Sequence, residues 1–282
     1  MIKKTGGRNY EYNSIKSCPP PEKTLINKGL KGFTLAEVLI TLGIIGVVAS
    51  MTLPSLIQNY KEKEYTAKLK KFNSLINQAM MMATTQEGPI EDWGLTKYSS
   101  SEGMTDEEIE QANASRNLFA EKVKKYLKII QYCPYGDSCQ SQAESRLRYS
   151  LDGTQFSHFK PYLILADGTD ITGITILSPK CDLNLGHSIP LQNVCGEMFV
   201  DLNGKKGPNA TGKDVFIFYY TKYGVIPVGT AEETNATFDK LCNLKVKNRI
   251  NGYGCAAWVL YNENMDYLHC NDLSWGGKTK CK

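Results

Sequence analysis

A long apolar run near the start of the chain passes directly into an amphipathic helical pattern. From Phe33 to Ile57 the sequence reads FTLAEVLITLGIIGVVASMTLPSLI, 25 residues in which Glu37 is the only charged side chain. A helix rises about 1.5 Å per residue, so this length predicts a helix that spans the roughly 30 Å hydrocarbon core of a bilayer. A secretory signal peptide has a shorter apolar region of about 7–15 residues, so we do not favour that interpretation.

The helical pattern continues beyond the apolar run with one apolar stripe. The stripe consists of Tyr65, Leu69, Phe72, Ile76, Met80 and Ala83. Lysines fill the positions between its members, which predicts that the stripe packs on a sheet while the opposite face stays in solvent. We interpret the run Met80–Met82 as adaptable core filling. Gly88 and Pro89 predict the end of this helix.

A second helix is predicted to begin at Thr105, after a linker over residues 88–104. Thr105 and Glu108 have the spacing of a capping box, in which each residue bonds the backbone of the other. The apolar residues that follow on one helical face are Ile109, Ala112, Phe119, Val123, Tyr126 and Ile130.

The pattern changes to β-strands after Cys133. Tyr162–Gly168 and Asp170–Leu177 flank an Asp-Gly turn, which predicts a hairpin. Further strands are predicted at Glu197–Gly204, Asp214–Gly229 and Cys255–Leu268. Helices followed by antiparallel strands are typical of the α+β class, which is the fold class we predict.

Charge is distributed unevenly along the chain. The 282 residues are 41% hydrophobic and 22% charged, and the mean hydropathy of −0.33 excludes a polytopic membrane protein. The whole chain has a formal net charge of +4, and residues 1–32 alone have +5. The rest of the chain therefore has a net charge of −1 and gives no general electrostatic reason to bind nucleic acid. Lys28 and Lys31 precede the apolar run and predict a cytoplasmic N-terminal arm with the C-terminus outside.

Glu37, the only charged residue of the predicted membrane helix, is the one that points to a function. A carboxylate in the bilayer interior costs a few kcal/mol and usually has a partner. If the chain is cut after Gly32, the new amino group of Phe33 lies one helical turn from Glu37. A second copy shifted by one turn could then present its amine to this carboxylate, which favours side-by-side assembly. A Glu side chain that extends to the nearby membrane surface is the alternative.

The segment KGFTLAEVLITLGIIGVVASMTLPSLI resembles the prepilin-type processing and methylation segment of type IV pilins and type II secretion pseudopilins. The matching positions are Gly32, Phe33, Glu37, Gly46 and Pro54. The resemblance implies a pilin-like fold, with the long helix laid on an antiparallel sheet. It also implies cleavage after Gly32, N-methylation of Phe33 and assembly into a helical filament. We expect Pro54 to kink or locally melt the helix.

The resemblance implies three parts of the chain and a set of partners. A cytoplasmic leader (1–32) is removed, a transmembrane and filament-core helix (33–57) follows, and residues 58–282 form a periplasmic or extracellular head. The implied partners are further copies of the chain, the prepilin peptidase, and the platform and ATPase of a pilus or secretion machine. The implied location is the bacterial inner membrane and then a periplasmic or cell-surface filament. The leader is longer than in many members, so either a longer-leader class applies or the start is assigned too early.

Cysteine parity agrees with this topology. There are nine cysteines, and loss of the leader removes Cys18. The remaining eight are Cys133, Cys139, Cys181, Cys195, Cys242, Cys255, Cys270 and Cys281. An even set in an oxidising compartment is typical of a disulfide framework. Zinc is disfavoured because no C-x-x-C occurs and there are three His. Pairing of neighbours along the chain is the simplest of the many possible connectivities.

The loop Val200–Asp214 is the best metal candidate. Asp201, Asn203 and Asp214 supply oxygen ligands on a Gly-rich loop that could bind Ca²⁺. The loop resembles Asp-rich loops that bind calcium in some pseudopilins, although Lys205 and Lys206 would repel a cation. The alternative is a turn between two strands. No other cofactor is expected.

Motifs of the common enzyme classes do not occur in the sequence, so we expect no enzymatic activity. Of the aromatic residues near the C-terminus, Trp258, Tyr261 and Tyr267 are expected to close the core; the alternative is that they line a binding face. Three functions remain open: a pilus subunit, a type II secretion pseudopilin, and an uncut single-pass protein with an external binding domain. Contact with nucleic acid is expected only indirectly, through DNA uptake by a filament.

Overall fold

The computed structural model describes residues 32–97 and 104–281. The predicted leader therefore lies outside the described residues except for Gly32, and so does part of the predicted linker. The chain divides into two compact units, one that ends at Thr52 and one that comprises Leu53–Lys282. The second unit contains the sheet and all of the buried core.

Helix α1 (Leu35–Glu87) carries the predicted amphipathic stripe. All six residues of the stripe are buried, and the intervening lysines are exposed or partly exposed. The helix ends at Glu87 because Gly88 adopts a positive φ of 82° and Pro89 follows, as the sequence predicts. The interpretation of the methionine run is right for Met80 only. Met81 and Met82 are exposed because successive helical residues point in different directions.

Helix α2 (Asp106–Lys124) begins with the predicted capping box at Thr105 and Glu108. Its buried apolar face includes Ala112, Phe119 and Val123. The predicted face extends too far, since the helix ends before Tyr126, and Ile130 is an exposed residue of the next strand. A short connection after α2 changes the periodicity, so residues beyond Lys124 no longer continue the helical face.

Eight strands follow α2 in the described part of the chain. They are β1 (Ile129–Tyr132), β2 (Arg146–Tyr149), β3 (Gln155–Phe159), β4 (Leu163–Leu165), β5 (Asp170–Ile176), β6 (Val194–Asp201), β7 (Val215–Thr221) and β8 (Gly224–Pro227). Six of them form an antiparallel sheet in the order β1-β4-β5-β6-β7-β8. Strands β2 and β3 form a separate hairpin. The hairpin predicted around Asp167-Gly168 is present as β4 and β5.

Both faces of the six-stranded sheet are covered. One face packs on the stripe of α1, where the rings of Phe72 and Phe218 lie 5.3 Å apart between centroids. The other face buries Ile217 and Tyr219 beneath the loops around Leu185 and Ala236. All seven residues of β7 are therefore buried, which explains its continuous apolar sequence.

The predicted strand Cys255–Leu268 is wrong. Its first part is helix α5 (Cys255–Asn262), and Asp266–Leu268 forms a single 3₁₀ turn. The first five residues of α5 are all buried, so the segment has no polar face that would reveal its period. Trp258 and Tyr267 are buried as expected, whereas Tyr261 is exposed.

Two more short helices complete the head: α3 (Ser138–Gln142) and α4 (Phe238–Leu241). Phe238 of α4 stacks on Trp258 of α5, with ring centroids 4.0 Å apart. The head thus combines a long N-terminal helix, an antiparallel sheet and small helices. This is the predicted α+β architecture.

Candidate processing and assembly segment

The bond between Gly32 and Phe33 lies in exposed, non-helical backbone just before α1. Phe33 is 87% exposed, and a Cβ added at Gly32 would meet no atom of the described residues within 4 Å, its chain neighbours apart. Proteolysis requires backbone that is neither buried nor held in secondary structure. The predicted cleavage site meets this requirement in the described part of the chain.

Glu37 has a role within its own chain that the sequence analysis did not identify. Its carboxylate accepts hydrogen bonds from the backbone N–H and the hydroxyl of Thr34, both at 2.8 Å. The Glu37 N–H donates to the Thr34 hydroxyl at 3.2 Å. This is a capping box at the first turn of α1, and the Thr-x-x-Glu spacing that reveals it is visible in the sequence.

The apolar part of α1 has no cover from the chain. From Phe33 to Ile57 every residue is exposed except Ala49, which is partly exposed. The hydroxyls of Thr41, Ser50 and Thr52 bond to helix carbonyls at 2.8–3.0 Å, so they add little unsatisfied polarity to this surface. Among the described residues, α1 is the helix that is long and apolar enough to cross a membrane. An exposed apolar surface of this kind is consistent with burial in a bilayer or against other apolar helices.

Gly46 and Pro54 both lie inside α1. A side chain added at Gly46 would meet nothing within 4 Å, so packing in this chain does not require a glycine there. The helix runs without interruption through Pro54, and the expected local melting is absent. A proline removes only its own N–H from the helical ladder, and the turns on both sides remain bonded.

Two family models match the chain. A model of the prokaryotic N-terminal methylation motif matches residues 28–53, which include Gly32, Phe33, Glu37 and Gly46. A model of a family of unknown function, DUF6613, matches residues 55–241, more than half of the chain. The chain belongs to the DUF6613 family. Comparison with curated proteins and with solved structures gives no match.

The two matches give this member of DUF6613 a pilin-like organisation. The methylation motif ends at residue 53 and the DUF6613 region begins at residue 55. The motif is that of prepilin N-termini, and the DUF6613 region contains the part of α1 from residue 55 onward and all eight described strands. The chain is therefore a type IV pilin-like or pseudopilin-like protein with a DUF6613 head.

Four disulfides tie the head together. The eight cysteines pair in chain order, as Cys133–Cys139, Cys181–Cys195, Cys242–Cys255 and Cys270–Cys281. These are the pairs that the sequence predicts. The last two lie wholly beyond the DUF6613 match, in the C-terminal segment. A disulfide that closes a loop of about 15 residues contributes roughly 3 kcal/mol.

The structure brings the three candidate calcium ligands into one network. Asn203 donates its amide to the Asp214 carboxylate at 3.0 Å, and Asp214 also accepts from the backbone N–H groups of Asn209 and Ala210. Asp201 accepts from the backbone of Asn203 and Gly204. No group of three His, Cys, Asp or Glu side chains with metal-binding geometry occurs among residues 32–97 and 104–281.

The electrostatics of this loop are unusual for a simple turn. Asp201 and Asp214 are fully buried. Burial, reinforced by the charge of Asp214, raises the pKa of Asp201 to about 8. Burial also raises the pKa of Asp214. One oxygen each of Asp201 and Asn203 is buried and has no hydrogen-bond partner among the described residues. The network can act as a turn, and calcium binding there stays a prediction.

Proposed function

We propose that this protein is a structural subunit of a type IV pilus-like filament. One observation carries the proposal: the segment that matches the methylation motif is also the segment whose apolar side chains the chain leaves exposed. Such a helix needs a bilayer before assembly and other copies of itself afterwards. A role in assembly rather than catalysis follows from this arrangement.

The proposed sequence of events begins in the bacterial inner membrane. The prepilin peptidase cleaves after Gly32, and the new amino group of Phe33 is methylated. The pilus platform and its ATPase then extract the helix into the filament, where the amine of one copy pairs with Glu37 of the next. The head, with its four disulfides, forms the outer surface of the filament. Any contact with DNA is indirect, through uptake by the filament.

The first test is the mature N-terminus. Mass spectrometry of protein from membranes and from sheared surface material is expected to find N-methylated Phe33 as the first residue. An intact 1–32 arm in the mature protein would instead identify an uncut, single-pass membrane protein with an external domain. Negative-stain microscopy of the same sheared material distinguishes the two assembly machines. Long surface fibres support a pilus, and their absence favours a type II secretion pseudopilin.

The second test separates the charge of Glu37 from its capping role. Glu37→Gln keeps a capping side chain but removes the charge, and Thr34→Ala removes the hydroxyl that accepts from the Glu37 backbone but keeps the charge. We expect both variants to be cleaved. Glu37→Gln should lose fibres, while Thr34→Ala should keep most of them. Normal fibres from Glu37→Gln would contradict the pairing of Glu37 with a neighbour's amine.

A further inference from the structure

A cleft in the head lies between the β2–β3 hairpin and the outer face of β5. Its volume is about 560 Å³, which is within the usual range for small-molecule sites. The floor is formed by four residues of β5, Thr172, Gly173, Ile174 and Thr175, of which all but Ile174 are small. Phe156 and Phe159 of the hairpin and Phe199 of β6 form part of the walls. Small floor residues leave room for a flat group between aromatic walls.

Every charged residue that lines the cleft is basic. Among the described residues, its lining includes Arg116, Arg148 and Lys160, together with His158, and contains no Asp or Glu. The chain outside residues 1–32 holds nearly equal numbers of acidic and basic residues. A cleft with only basic groups is therefore a local concentration of positive charge, which favours an anionic ligand.

Arg148 is the central group of this cleft. It is only 5% exposed, and its guanidinium carbon lies 4.4 Å from the ring centroid of Phe199 and 4.6 Å from that of Phe159. One nitrogen donates to the Thr172 hydroxyl at 2.5 Å. The two rings and this bond fix the plane of the guanidinium. A guanidinium held in this way is prepared to bind a carboxylate or phosphate through its planar edge.

The charge of Arg148 is incompletely compensated within the chain. Its Nε is buried with no hydrogen-bond partner, and no ion pair of the described residues includes it. On the same strand, Arg146 does have a carboxylate, that of Asp170 at 3.6 Å. Burial lowers the pKa of Arg148 to about 10, so the side chain is still charged at neutral pH. A buried charge without a partner is costly, and an anion in the cleft would offset that cost.

The carboxyl groups that interact with Arg148 do not line the cleft. Asp201 and Asp170 both favour its charged form, but burial raises the pKa of Asp201 to about 8, and Asp170 is paired with Arg146. Glu197 of the neighbouring strand β6 also interacts with Arg148. Burial raises the pKa of Glu197 to about 7, against the opposing effect of Arg148. Its carboxyl group is therefore only partly ionised at neutral pH and leaves much of the positive charge available.

We propose that this cleft binds a small organic anion, whose carboxylate or phosphate pairs with Arg148 and whose flat body lies between the aromatic walls. The site would give the head a ligand-binding activity that does not depend on how the N-terminal helix is processed or assembled. Failure of the filament proposal would leave this one intact, and the reverse also holds.

The test uses three probes that share a phenyl ring. Benzoate carries a carboxylate, phenyl phosphate carries a phosphate, and benzamide is neutral. Each is titrated into the full chain in detergent by ligand-observed NMR at fixed ionic strength, with empty micelles as the blank. We expect saturable binding of at least one anion, at least tenfold tighter than benzamide. The tighter of the two anions identifies the charged group of the ligand. Equal binding of benzamide, or no binding of either anion, would overturn the proposal.

Arg148→Met is the decisive variant, and Lys128→Met is its control because Lys128 also carries one positive charge, is exposed and does not line the cleft. We expect Arg148→Met to lose at least tenfold in anion affinity, and Lys128→Met to stay within twofold of the wild type. The melting temperature of Arg148→Met without ligand should change little, because removal of a buried charge that has no ion-pair partner offsets the loss of the bond to Thr172 and of the ring contacts. Unchanged affinity in this variant would contradict the role of Arg148.

A measurement on the wild type keeps the proposal testable if Arg148→Met does not fold. Raising the salt concentration from 50 to 500 mM should weaken anion binding at least about threefold, because the cleft attracts its ligand through charge. Arg148→Lys, which keeps the charge but loses the planar fork, should also bind less tightly than the wild type. Anion binding that is insensitive to both changes would overturn the proposal.

Discussion

Three buried carboxyl groups lie close together at one end of the sheet. Asp170 and Asp201 are paired across β5 and β6, and Asp214 lies just before β7. All three are fully buried, and burial raises the pKa of each one. Only Asp170 has a basic partner, Arg146, among the ion pairs of the described residues. Because the folded state raises the pKa of each group, ionisation of each of them opposes folding, including that of Asp170 despite its partner.

Asp201 should make the head less stable as the pH rises. Its pKa is about 8 in the folded chain, against about 4 in an unfolded one, so the folded state holds the proton more tightly between these values. The stability is fully present below about pH 4 and is lost as the pH rises through 8, by up to about 1.4 kcal/mol per pH unit.

Asp201→Asn keeps the acceptor for the two backbone N–H groups and removes the ionisation. Thermal melts between pH 5 and 8 should show a flatter profile for this variant than for the wild type, and higher stability at pH 8. The matched control is Asp239→Asn, at an exposed position. An equal pH dependence in Asp201→Asn and the wild type would assign the effect to other groups.

Calcium bound to the loop Val200–Asp214 should offset the loss of stability that ionisation of its carboxyl groups causes. If the ion binds Asp201, Asn203 and Asp214, it raises the melting temperature of the full chain, with a larger effect at pH 8 than at pH 5. At a concentration a hundredfold above Kd the gain is about 2.7 kcal/mol. Asp201→Ala should abolish the shift. Identical melts in calcium and in chelator at pH 8 would leave the loop as a turn alone.

At the scale of elements, helix α1 serves two environments. Its N-terminal part is apolar on all sides, and its C-terminal part has one buried stripe that packs on the sheet. It also closes the edge of the sheet. The side-chain amide of Asn77 bonds both the N–H and the C=O of Val225 in edge strand β8, at 2.8 and 2.9 Å. Asn77 thus takes the place of a further strand at an otherwise unpaired edge.

Asn77→Ala should destabilise the head by about 1–3 kcal/mol, because Val225 is buried and both of its backbone groups would lose their partner. The control is Gln78→Ala, whose amide bonds only the exposed hydroxyl of Ser74 and whose loss should cost less than about 0.5 kcal/mol. Chemical denaturation of the two variants measures the difference. Equal stability of the variants would mean that water replaces the Asn77 amide at this edge.

At the scale of the whole molecule, the number of free cysteines distinguishes the uncut chain from the cleaved chain. All eight cysteines of the described head are in disulfides, and the ninth, Cys18, lies in the predicted leader. Disulfides persist in oxidising compartments, so this arrangement agrees with an external head.

Thiol labelling of denatured, unreduced protein should therefore find no free thiol in filament material. Precursor protein that accumulates in cells without the prepilin peptidase should show one free thiol, at Cys18. The Cys18→Ser variant is the control, since it removes that thiol and leaves the four disulfides unchanged. Free thiols in mature protein would contradict either the cleavage or the disulfide pairing in the head.

The sequence by itself determined four features: the apolar helix with its methylation motif, the buried stripe of α1, the capping box of α2 and the β4–β5 hairpin. Each depends on neighbours along the chain, namely a 3.6-residue period, a cap three residues away or an Asp-Gly turn, so each is visible in the order of residues. The sequence did not reveal that Cys255–Asn262 is a helix rather than a strand, because its buried residues leave no polar face to show the helical period. Only the tertiary structure decided which distant groups meet. Arg148 and Phe199 come together because the hairpin folds over the sheet. Burial between distant elements also determines the charge of the cleft and the raised pKa of Asp201. Such burial depends on tertiary packing, which no local sequence pattern records.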